Sequence, residues 1–113
     1  AIGMALAGKL NQAKWRVFCL MSDGEQDEGN TWEAVMFAGK NKMHNLTALI
    51  DRNNIQIDGF TEDIMPLENL RAKYEAFNWH VIEINGHDFN EIIAAFEEAK
   101  TIFENGCKPF LFI

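Results

Sequence analysis

Blocks of apolar residues alternate with amphipathic segments along the chain, and this alternation predicts the fold. The continuous apolar run at 16–21 is typical of a strand buried on both faces of a parallel sheet. Residues 46–50, 79–84 and 109–113 predict three further strands, and apolar residues at helical spacing predict a helix before each strand. Such alternation predicts an α/β fold, with a mostly parallel sheet flanked by helices on both faces.

Local signals predict where several of these helices begin and end. Asn30 with Glu33 fits a capping box, and Pro66 is suited to the first turn of a helix. Asp88 occupies the N-cap position of the last helix, and Gly106 suits the turn that ends it.

Composition limits the classes of protein to which the chain can belong. Its 113 residues are 48% hydrophobic, enough for one packed core. A net charge of −7 excludes a non-specific nucleic-acid binder, which needs a basic face, and no apolar run approaches the roughly 20 residues that span a membrane. We expect a cytoplasmic protein with Cys19 and Cys107 as buried core thiols. Because the chain opens inside a helical pattern and ends on a strand, residues 1–113 are expected to form a single partial domain, truncated at both ends.

The loop after the first predicted strand is strongly acidic. Five acids and no Lys or Arg fall within residues 23–33. A solvated loop ahead of a helix N-terminus explains them, and so does a bound cation or a distant basic partner that relieves their repulsion. Gly24 allows the backbone to approach a ligand closely, and the N–H groups that open the next helix can hold phosphate. Asp23 is then well placed to bind a divalent cation that bridges phosphate oxygens.

A second polar loop follows the strand at 46–50. Asn53 comes 30 residues after Asp23, about the length of one strand–helix–strand unit, so both can lie at the ends of neighbouring parallel strands. In parallel sheets, ligands bind beside the carboxyl ends of the strands. Carboxylate, amide and backbone carbonyl oxygens are ligands that Mg²⁺ prefers. The alternative is that Asn53-Asn54 only forms a turn, since Asn tolerates left-handed backbone.

Taken together, these motifs resemble the thiamine-diphosphate signature of the transketolase family. The similarity continues to Lys108-Pro109 and covers essentially the whole chain. The stretch 56–59 is closer to transketolases than to the dehydrogenase or decarboxylase branches of thiamine enzymes. One departure is Ser22, which stands where the family usually has glycine. The matching segments are Asp23-Gly24-Glu25, Trp32-Glu33-Ala34, residues 45–59 and Asn85-Gly86-His87-Asp88.

The resemblance implies a role for each matching position. Mg²⁺ would be bound by Asp23, by Asn53 and by the backbone carbonyl of Ile55. The backbone of the first loop would meet the diphosphate, and an isoleucine of the second loop would pack against the cofactor. The implied cofactor-binding positions are Gly24, Glu25, Asn53 and Ile57.

The resemblance also implies what the chain does not supply. No residue matches the family's catalytic histidines or the glutamate that activates the cofactor, so no catalytic residue is assigned and the isolated chain is expected to be inactive. The histidines of the chain are given structural roles: His44, His80 and His87. Glu28 and Glu33 resemble acids near the family's subunit interface, although loop solubility and helix capping explain them equally well.

The implied function is the thiamine-diphosphate- and Mg²⁺-binding part of a transketolase-type enzyme. Such an enzyme moves a two-carbon ketol unit between sugar phosphates, as in the pentose phosphate pathway. The implied partners are the pyrimidine-binding domain or subunit of the same enzyme, in a homodimer or heterotetramer, and the sugar phosphate substrate. Two alternatives stay open: a non-catalytic assembly or binding module that retains the fold, and a component of another thiamine-diphosphate enzyme.

Overall fold

The structure is a computed structural model that describes residues 1–57 and 59–113. Asp58, which falls inside the predicted second loop, lies outside the described residues. A 3₁₀ turn, Gly24–Asp27, separates the first strand from the second helix. The elements in chain order are α1 Ile2–Leu10, β1 Val17–Ser22, α2 Gly29–Lys40, β2 Leu46–Asp51, β3 Ile55–Gln56, β4 Gly59–Phe60, α3 Thr61–Ile64, α4 Leu70–Ala76, β5 His80–Ile82, α5 Phe89–Asn105 and β6 Phe110–Phe112.

Four strands form one parallel sheet in the order β1-β2-β6-β5. β1 pairs with β2 along its whole length, from Val17 opposite Leu46 to Ser22 opposite Asp51. The short strands β3 and β4 pair antiparallel with each other and form a separate ribbon. The predicted parallel sheet is confirmed, and the strands that precede Asp23 and Asn53 are neighbours, as the spacing of the two residues predicts.

Helices cover both faces of this sheet. The alternation of side chains along each strand sends one set of apolar residues to each face. One face packs against α1, α2 and α4, through buried residues that include Ala48, Val81 and Leu111. The other face packs against α5 through Phe110 and Phe112. The sequence-based prediction of helices on both faces is therefore confirmed. Within residues 1–57 and 59–113, no helix has the length and apolar character that crossing a membrane requires.

The strand at 16–21 is less buried than its apolar sequence predicts. Phe18 and Leu20 are 45% and 72% exposed. They lie on the α5 side of β1, which is an edge strand of the described sheet, and α5 packs mainly over the other three strands. The prediction that both cysteines are buried core thiols is also wrong. Cys107 is exposed and precedes β6, and Cys19 is half-buried.

Two helix starts also differ from the prediction. α2 begins at Gly29 with Glu28 as its N-cap and no side-chain capping bond, so the Asn30 and Glu33 capping box is wrong. The chain enters α2 directly from the 3₁₀ turn. Pro66 starts no helix, because it lies between α3, which ends at Ile64, and α4, which begins at Leu70. The remaining two signals are confirmed: Asp88 accepts a hydrogen bond at the start of α5, and Gly106 ends α5 with a left-handed φ of 67°.

Gly39 marks the closest approach between α2 and the end of α4. A Cβ atom on Gly39 would lie 1.8 Å from the carbonyl oxygen of Phe77, so one backbone must shift. We expect Gly39→Ala to lower the free energy of unfolding by about 1–3 kcal/mol, the usual effect of overpacking. The matched control is Gly3→Ala, another helical glycine, where nothing lies within 4 Å of the added Cβ. Urea denaturation measures both, and equal stability of the two variants would contradict this packing.

Candidate functional site

The candidate site lies where β1 and β2 end side by side. Ser22 and Asp51 are the last paired residues of the two strands, and therefore Asp23 and Arg52 leave the sheet together. In a parallel sheet, the loops after the carboxyl ends of neighbouring strands share one edge. The two loops identified from the sequence thus meet, and side chains from both contact each other there.

Asp23 is the best-defined residue of the site. Its side chain is fully buried, with an exposed fraction of 0%. Its Oδ2 atom accepts hydrogen bonds from Arg52 Nη1 at 2.7 Å and from Thr61 Oγ1 at 2.9 Å. Its Oδ1 atom is buried and has no hydrogen-bond partner among the described residues. A buried carboxylate oxygen without a partner is costly, so this atom is where a cation fits.

Arg52 places a positive charge beside three carboxylates. Its Nη2 atom lies 2.5 Å from Glu62 Oε1 and 3.0 Å from Glu68 Oε1, in addition to the contact with Asp23. Burial by itself lowers the pKa of Arg52, but the hydrogen bonds and charges of Asp23 and Glu68 outweigh it and raise the pKa above the usual value. Arg52 therefore stays charged. Asp23, one of the five acids at 23–33, therefore has a distant basic partner, which was one of the three explanations offered for the charge of this loop.

Glu68 is the acid whose ionisation is most clearly affected. Burial by itself raises the pKa of Glu68, but the Leu70 N–H bond and the Arg52 guanidinium outweigh it and hold the pKa below the usual value. The Glu68 carboxylate thus stays ionised and paired near neutral pH, although its side chain is 55% exposed and solvent screens part of the interaction.

The second loop turns sharply just after β2. Asn53 Oδ1 accepts a hydrogen bond from the N–H of Ile55 at 2.9 Å, which is the Asx-turn arrangement. Asn54 takes a left-handed φ of 65°, and its carbonyl accepts from the N–H of Thr61. Asn53 and Asn54 thus form the turn that the alternative interpretation predicts. It does not exclude a metal, because an amide oxygen has a second lone pair.

The first loop is fixed from within and from outside. The Glu25 carboxylate accepts hydrogen bonds from the N–H and the hydroxyl of Ser22, at 2.7 and 3.2 Å. A bond of 2.7 Å from Gln56 Nε2 to Asp27 ties the loop to β3. A Cβ atom added to Gly24 would have the Gln56 side chain as its nearest neighbour, at 3.9 Å. The surface of Gly24 is therefore open to a ligand.

A buried network connects the first loop to α4. Gln26 is 1% exposed and bonds with its Nε2 atom to the carbonyl of Ser22 at 3.2 Å. Its Oε1 atom accepts a hydrogen bond from the hydroxyl of Tyr74 at 2.7 Å, and its backbone carbonyl accepts from Trp32 Nε1 at 2.8 Å. Burial raises the pKa of Tyr74 well above its usual value, so the hydroxyl remains a donor. These contacts hold the loop that precedes α2.

Two cavities flank this arrangement. One of about 410 Å³ contains three predicted cofactor positions, Gly24, Glu25 and the fully exposed Ile57. A larger cleft of about 770 Å³ lies over the carboxyl ends of the strands and is lined by residues that include Asn53 and Arg52. The structure therefore brings the first-loop positions and Ile57 together, while Asn53 borders the neighbouring cleft. Ile55 is 61% exposed and starts β3, between Asn53 and Ile57 in the chain.

Two of the three histidines make side-chain contacts of the kind that a structural role predicts. His44 stacks on Phe103, and His80 bonds to Glu98 at 2.6 Å and stacks on Phe110. His87 borders the larger cleft.

The chemistry of the site favours a hard cation with mixed oxygen ligands. Within the described part of the chain, no three His, Cys, Asp or Glu side chains are grouped so as to hold a metal. The predicted set has one carboxylate, one amide and one backbone carbonyl. Mg²⁺ suits such a set, since it takes one or two carboxylates and completes its shell with water and phosphate oxygens. The chemistry of these residues is compatible with a Mg²⁺-diphosphate group, for which Asp23 Oδ1 would supply the negative charge.

Sequence reasoning missed the residues that hold Asp23 in place. Arg52 and Thr61 both contact its carboxylate, and Tyr74 stabilises the loop behind it. A signal for Arg52 was available, because it precedes Asn53 and takes the position after β2 that Asp23 takes after β1. Thr61 and Tyr74 gave no such signal, since their contacts cross 38 and 48 residues of chain.

Comparison with known proteins identifies the family. The family model for "Transketolase, thiamine diphosphate binding domain" matches residues 4–111. A 6-deoxy-6-sulfo-D-fructose transketolase subunit of Clostridium sp. (strain MSTE9) is 48% identical over 100 residues, which is 88% of this chain and 36% of that protein. An apulose-4-phosphate transketolase subunit of Phocaeicola vulgatus is 44% identical over 112 residues, 99% of this chain and 39% of that protein.

The fold leads to the same family. The crystal structure of transketolase from Campylobacter jejuni superposes with a TM-score of 0.91 and 36% identity, covering 99% of this chain and 18% of that one. The chain thus spans less than two fifths of the length of each of these three proteins. With the α/β sheet, the two loops at its edge and the family match in agreement, the chain belongs to the transketolase family, as its thiamine-diphosphate-binding domain.

Proposed function

We propose that this chain holds the diphosphate end of thiamine diphosphate, through Mg²⁺, in an enzyme that transfers a two-carbon ketol unit between sugar phosphates. The observation that carries the proposal is the buried Oδ1 of Asp23, which has no hydrogen-bond partner among the described residues, at the edge shared by the two loops. Metal ligands would be Asp23, Asn53 and the carbonyl of Ile55. The remaining positions toward the cofactor would be Gly24, Glu25 and Ile57.

The chain's own residues would bind and orient the cofactor. The Asp23 carboxylate and the Asn53 amide would hold the metal, whose positive charge would offset that of the diphosphate, and the open surface of Gly24 would admit the phosphate oxygens. The exposed side chain of Ile57 would shield one side of the cofactor from water. When bound, thiamine diphosphate supplies the nucleophilic carbon and the electron sink for the ketol transfer. None of this chain's residues is assigned a proton transfer.

The complete enzyme would need a pyrimidine-binding domain or subunit, in a homodimer or heterotetramer. Two of the relatives are named as subunits of their enzymes, which supports a partner chain. The exposed Phe18 and Leu20 of the edge strand β1 also favour a neighbouring segment. The proposed location is the cytoplasm, because Cys19 and Cys107 are both free thiols, as is usual there.

The substrate class is open to a direct test. Purified complete enzyme would be assayed with ribose 5-phosphate as acceptor and three donors: xylulose 5-phosphate, apulose 4-phosphate and 6-deoxy-6-sulfofructose. We expect ketol transfer from at least one donor, dependent on thiamine diphosphate and abolished by EDTA, and no turnover by residues 1–113 alone. Lack of cofactor-dependent transfer with every donor would contradict the proposed reaction and favour a non-catalytic module.

Asn53 offers a graded test of the metal site. We expect Asn53→Ala to weaken thiamine-diphosphate binding about tenfold, or about 1.4 kcal/mol, because a neutral ligand is lost. Excess Mg²⁺ should restore most of the binding. Asn53→Asp is the matched control, since it keeps an oxygen for the metal and an acceptor for the Ile55 N–H, and calorimetry should find its affinity close to that of the unmodified enzyme. Equal losses in both variants would contradict ligation by the Asn53 oxygen.

A further inference from the structure

Arg52 is the residue at which the two loops and the following segment are joined. Its side chain is 13% exposed and its guanidinium contacts three carboxylates, those of Asp23, Glu62 and Glu68. The planar guanidinium presents several N–H donors in fixed directions, which an ammonium group does not. Arg52 therefore fixes the relative orientation of these acids as well as balancing their charge.

The contact with Asp23 determines which carboxylate oxygen is free. Oδ2 accepts from Arg52 Nη1 and from Thr61 Oγ1, so two donors hold one oxygen. Rotation of the carboxylate would break both hydrogen bonds. Oδ1 is consequently kept without a partner among the described residues, in the orientation that a cation requires.

Through Nη2, Arg52 also contacts two carboxylates of the segment between β4 and α4. Glu62 Oε1 also accepts from the N–H of Leu67 at 3.1 Å, and Glu68 Oε2 accepts from the N–H of Leu70 at 3.2 Å. The segment contains only the four-residue helix α3 and then irregular backbone up to Leu70. Its carboxylates thus hold its own backbone and Arg52 at the same time.

We propose that Arg52 is a positioning residue that holds Asp23 in its metal-binding orientation and ties the segment 61–70 to the cofactor site. The inference rests on the Mg²⁺ site of the proposed function and extends it to a residue outside the proposed metal and cofactor positions. Since Glu62 and Glu68 supply two negative charges on the far side of the guanidinium, Arg52 orients Asp23 without leaving a net positive charge at the site.

A purely electrostatic role for Arg52 and a positioning role predict opposite changes in metal affinity when Arg52 is removed. If Arg52 merely competed with a cation for Asp23, its removal would tighten metal binding, because Glu62 and Glu68 would then be unbalanced. If Arg52 positions Asp23, its removal weakens metal binding. Residues that orient metal ligands in this way typically contribute 10- to 100-fold to metal affinity.

The test is a Mn²⁺ titration of the complete enzyme with thiamine diphosphate, followed by electron paramagnetic resonance. We expect Arg52→Ala to raise the Mn²⁺ dissociation constant by about tenfold or more and Arg52→Lys to raise it less. Thr61→Val, which removes the second donor to Asp23 Oδ2, should act in the same direction. The matched control is Arg71→Ala, which removes an equal charge from an exposed arginine that pairs with Glu75.

Two further readouts separate positioning from general destabilisation. Hydrogen exchange of the amides of residues 61–70 should accelerate in Arg52→Ala and not in Arg71→Ala. Saturating Mn²⁺ should restore kcat while the metal requirement stays raised. An unchanged or lower Mn²⁺ dissociation constant in Arg52→Ala and Thr61→Val, with binding lost in Asp23→Ala, would overturn the inference and leave the proposed site standing. Unchanged binding in all of these variants, Asp23→Ala included, would overturn the site itself.

Discussion

Replacement of Asp23 by alanine is expected to reduce metal-dependent binding of thiamine diphosphate about 100-fold or more, equivalent to at least about 2.7 kcal/mol. Asp23 is the only charged member of the proposed ligand set, and its buried Oδ1 has no partner among the described residues. The substitution also leaves Arg52 without its partner at 2.7 Å. Isothermal titration calorimetry of the complete enzyme, with and without Mg²⁺, measures the effect.

Two companion variants make this result interpretable. Asp23→Asn keeps the shape and one oxygen but removes the charge, so an affinity between those of the unmodified enzyme and the alanine variant is expected. Asp63→Ala removes a carboxylate from an exposed position of the nearby α3 helix and should leave binding unchanged. Binding by Asp23→Ala that equals that of the unmodified enzyme would show that the cofactor is held elsewhere.

Truncation of Tyr74 is expected to have the largest effect on folding. Tyr74 is fully buried, and its ring lies 5.4 Å from each of the Trp32 and Trp79 rings. Large-to-small changes of aromatic core residues cost about 3–5 kcal/mol, so Tyr74→Ala should lower the free energy of unfolding by that amount. Tyr74→Phe keeps the packing but leaves Gln26 Oε1 buried without its donor, which costs about 1–3 kcal/mol.

The phenylalanine variant also connects folding to the site. Because Gln26 bonds to the Ser22 carbonyl, loss of the Tyr74 hydroxyl should loosen the first loop and weaken cofactor binding while most of the fold persists. Phe89→Ala is the control, since this aromatic ring is 79% exposed and its loss should change stability by less than about 0.5 kcal/mol. Chemical denaturation measures all three variants, and a Tyr74→Ala variant as stable as Phe89→Ala would contradict the packing of this core.

Much of the sheet could be predicted because each strand carries its own apolar pattern. The strands before Asp23 and Asn53 are parallel neighbours, as the 30-residue spacing predicts. The caps at Asp88 and Gly106 could also be predicted, because each depends on backbone geometry within a few residues. Signals of this kind are local, and local structure follows them where no distant contact intervenes.

The incorrect predictions have long-range causes. The burial of Phe18 and Leu20 depends on what covers the α5 side of an edge strand, and the sequence of the strand carries no information on this. A helix starting at Pro66 competes with two carboxylates for backbone N–H groups: Glu62 binds that of Leu67, and Glu68 binds that of Leu70. Arg52 in turn holds Glu68 through two hydrogen bonds.

Within the site, the sequence indicated which residues carry metal-binding chemistry but not how they are oriented. Asp23 and Asn53 could be selected from their side-chain oxygens and their positions after strands. Arg52 and Thr61 hold one oxygen of Asp23, through contacts that span 29 and 38 residues of chain. The other oxygen has no hydrogen-bond partner in residues 1–57 and 59–113. Such contacts form only once the sheet has brought the loops together.

The most direct measurement is an anomalous difference map from crystals of the complete enzyme grown with thiamine diphosphate and Mn²⁺ in place of Mg²⁺. We predict one strong manganese peak in contact with Asp23 Oδ1, Asn53 Oδ1 and the carbonyl oxygen of Ile55, at about 2.1 Å from each, with the diphosphate completing the shell. The Arg52 contact to Asp23 Oδ2 should persist beside it. A manganese peak that does not touch Asp23, or a diphosphate bound away from both loops, would contradict the proposed site.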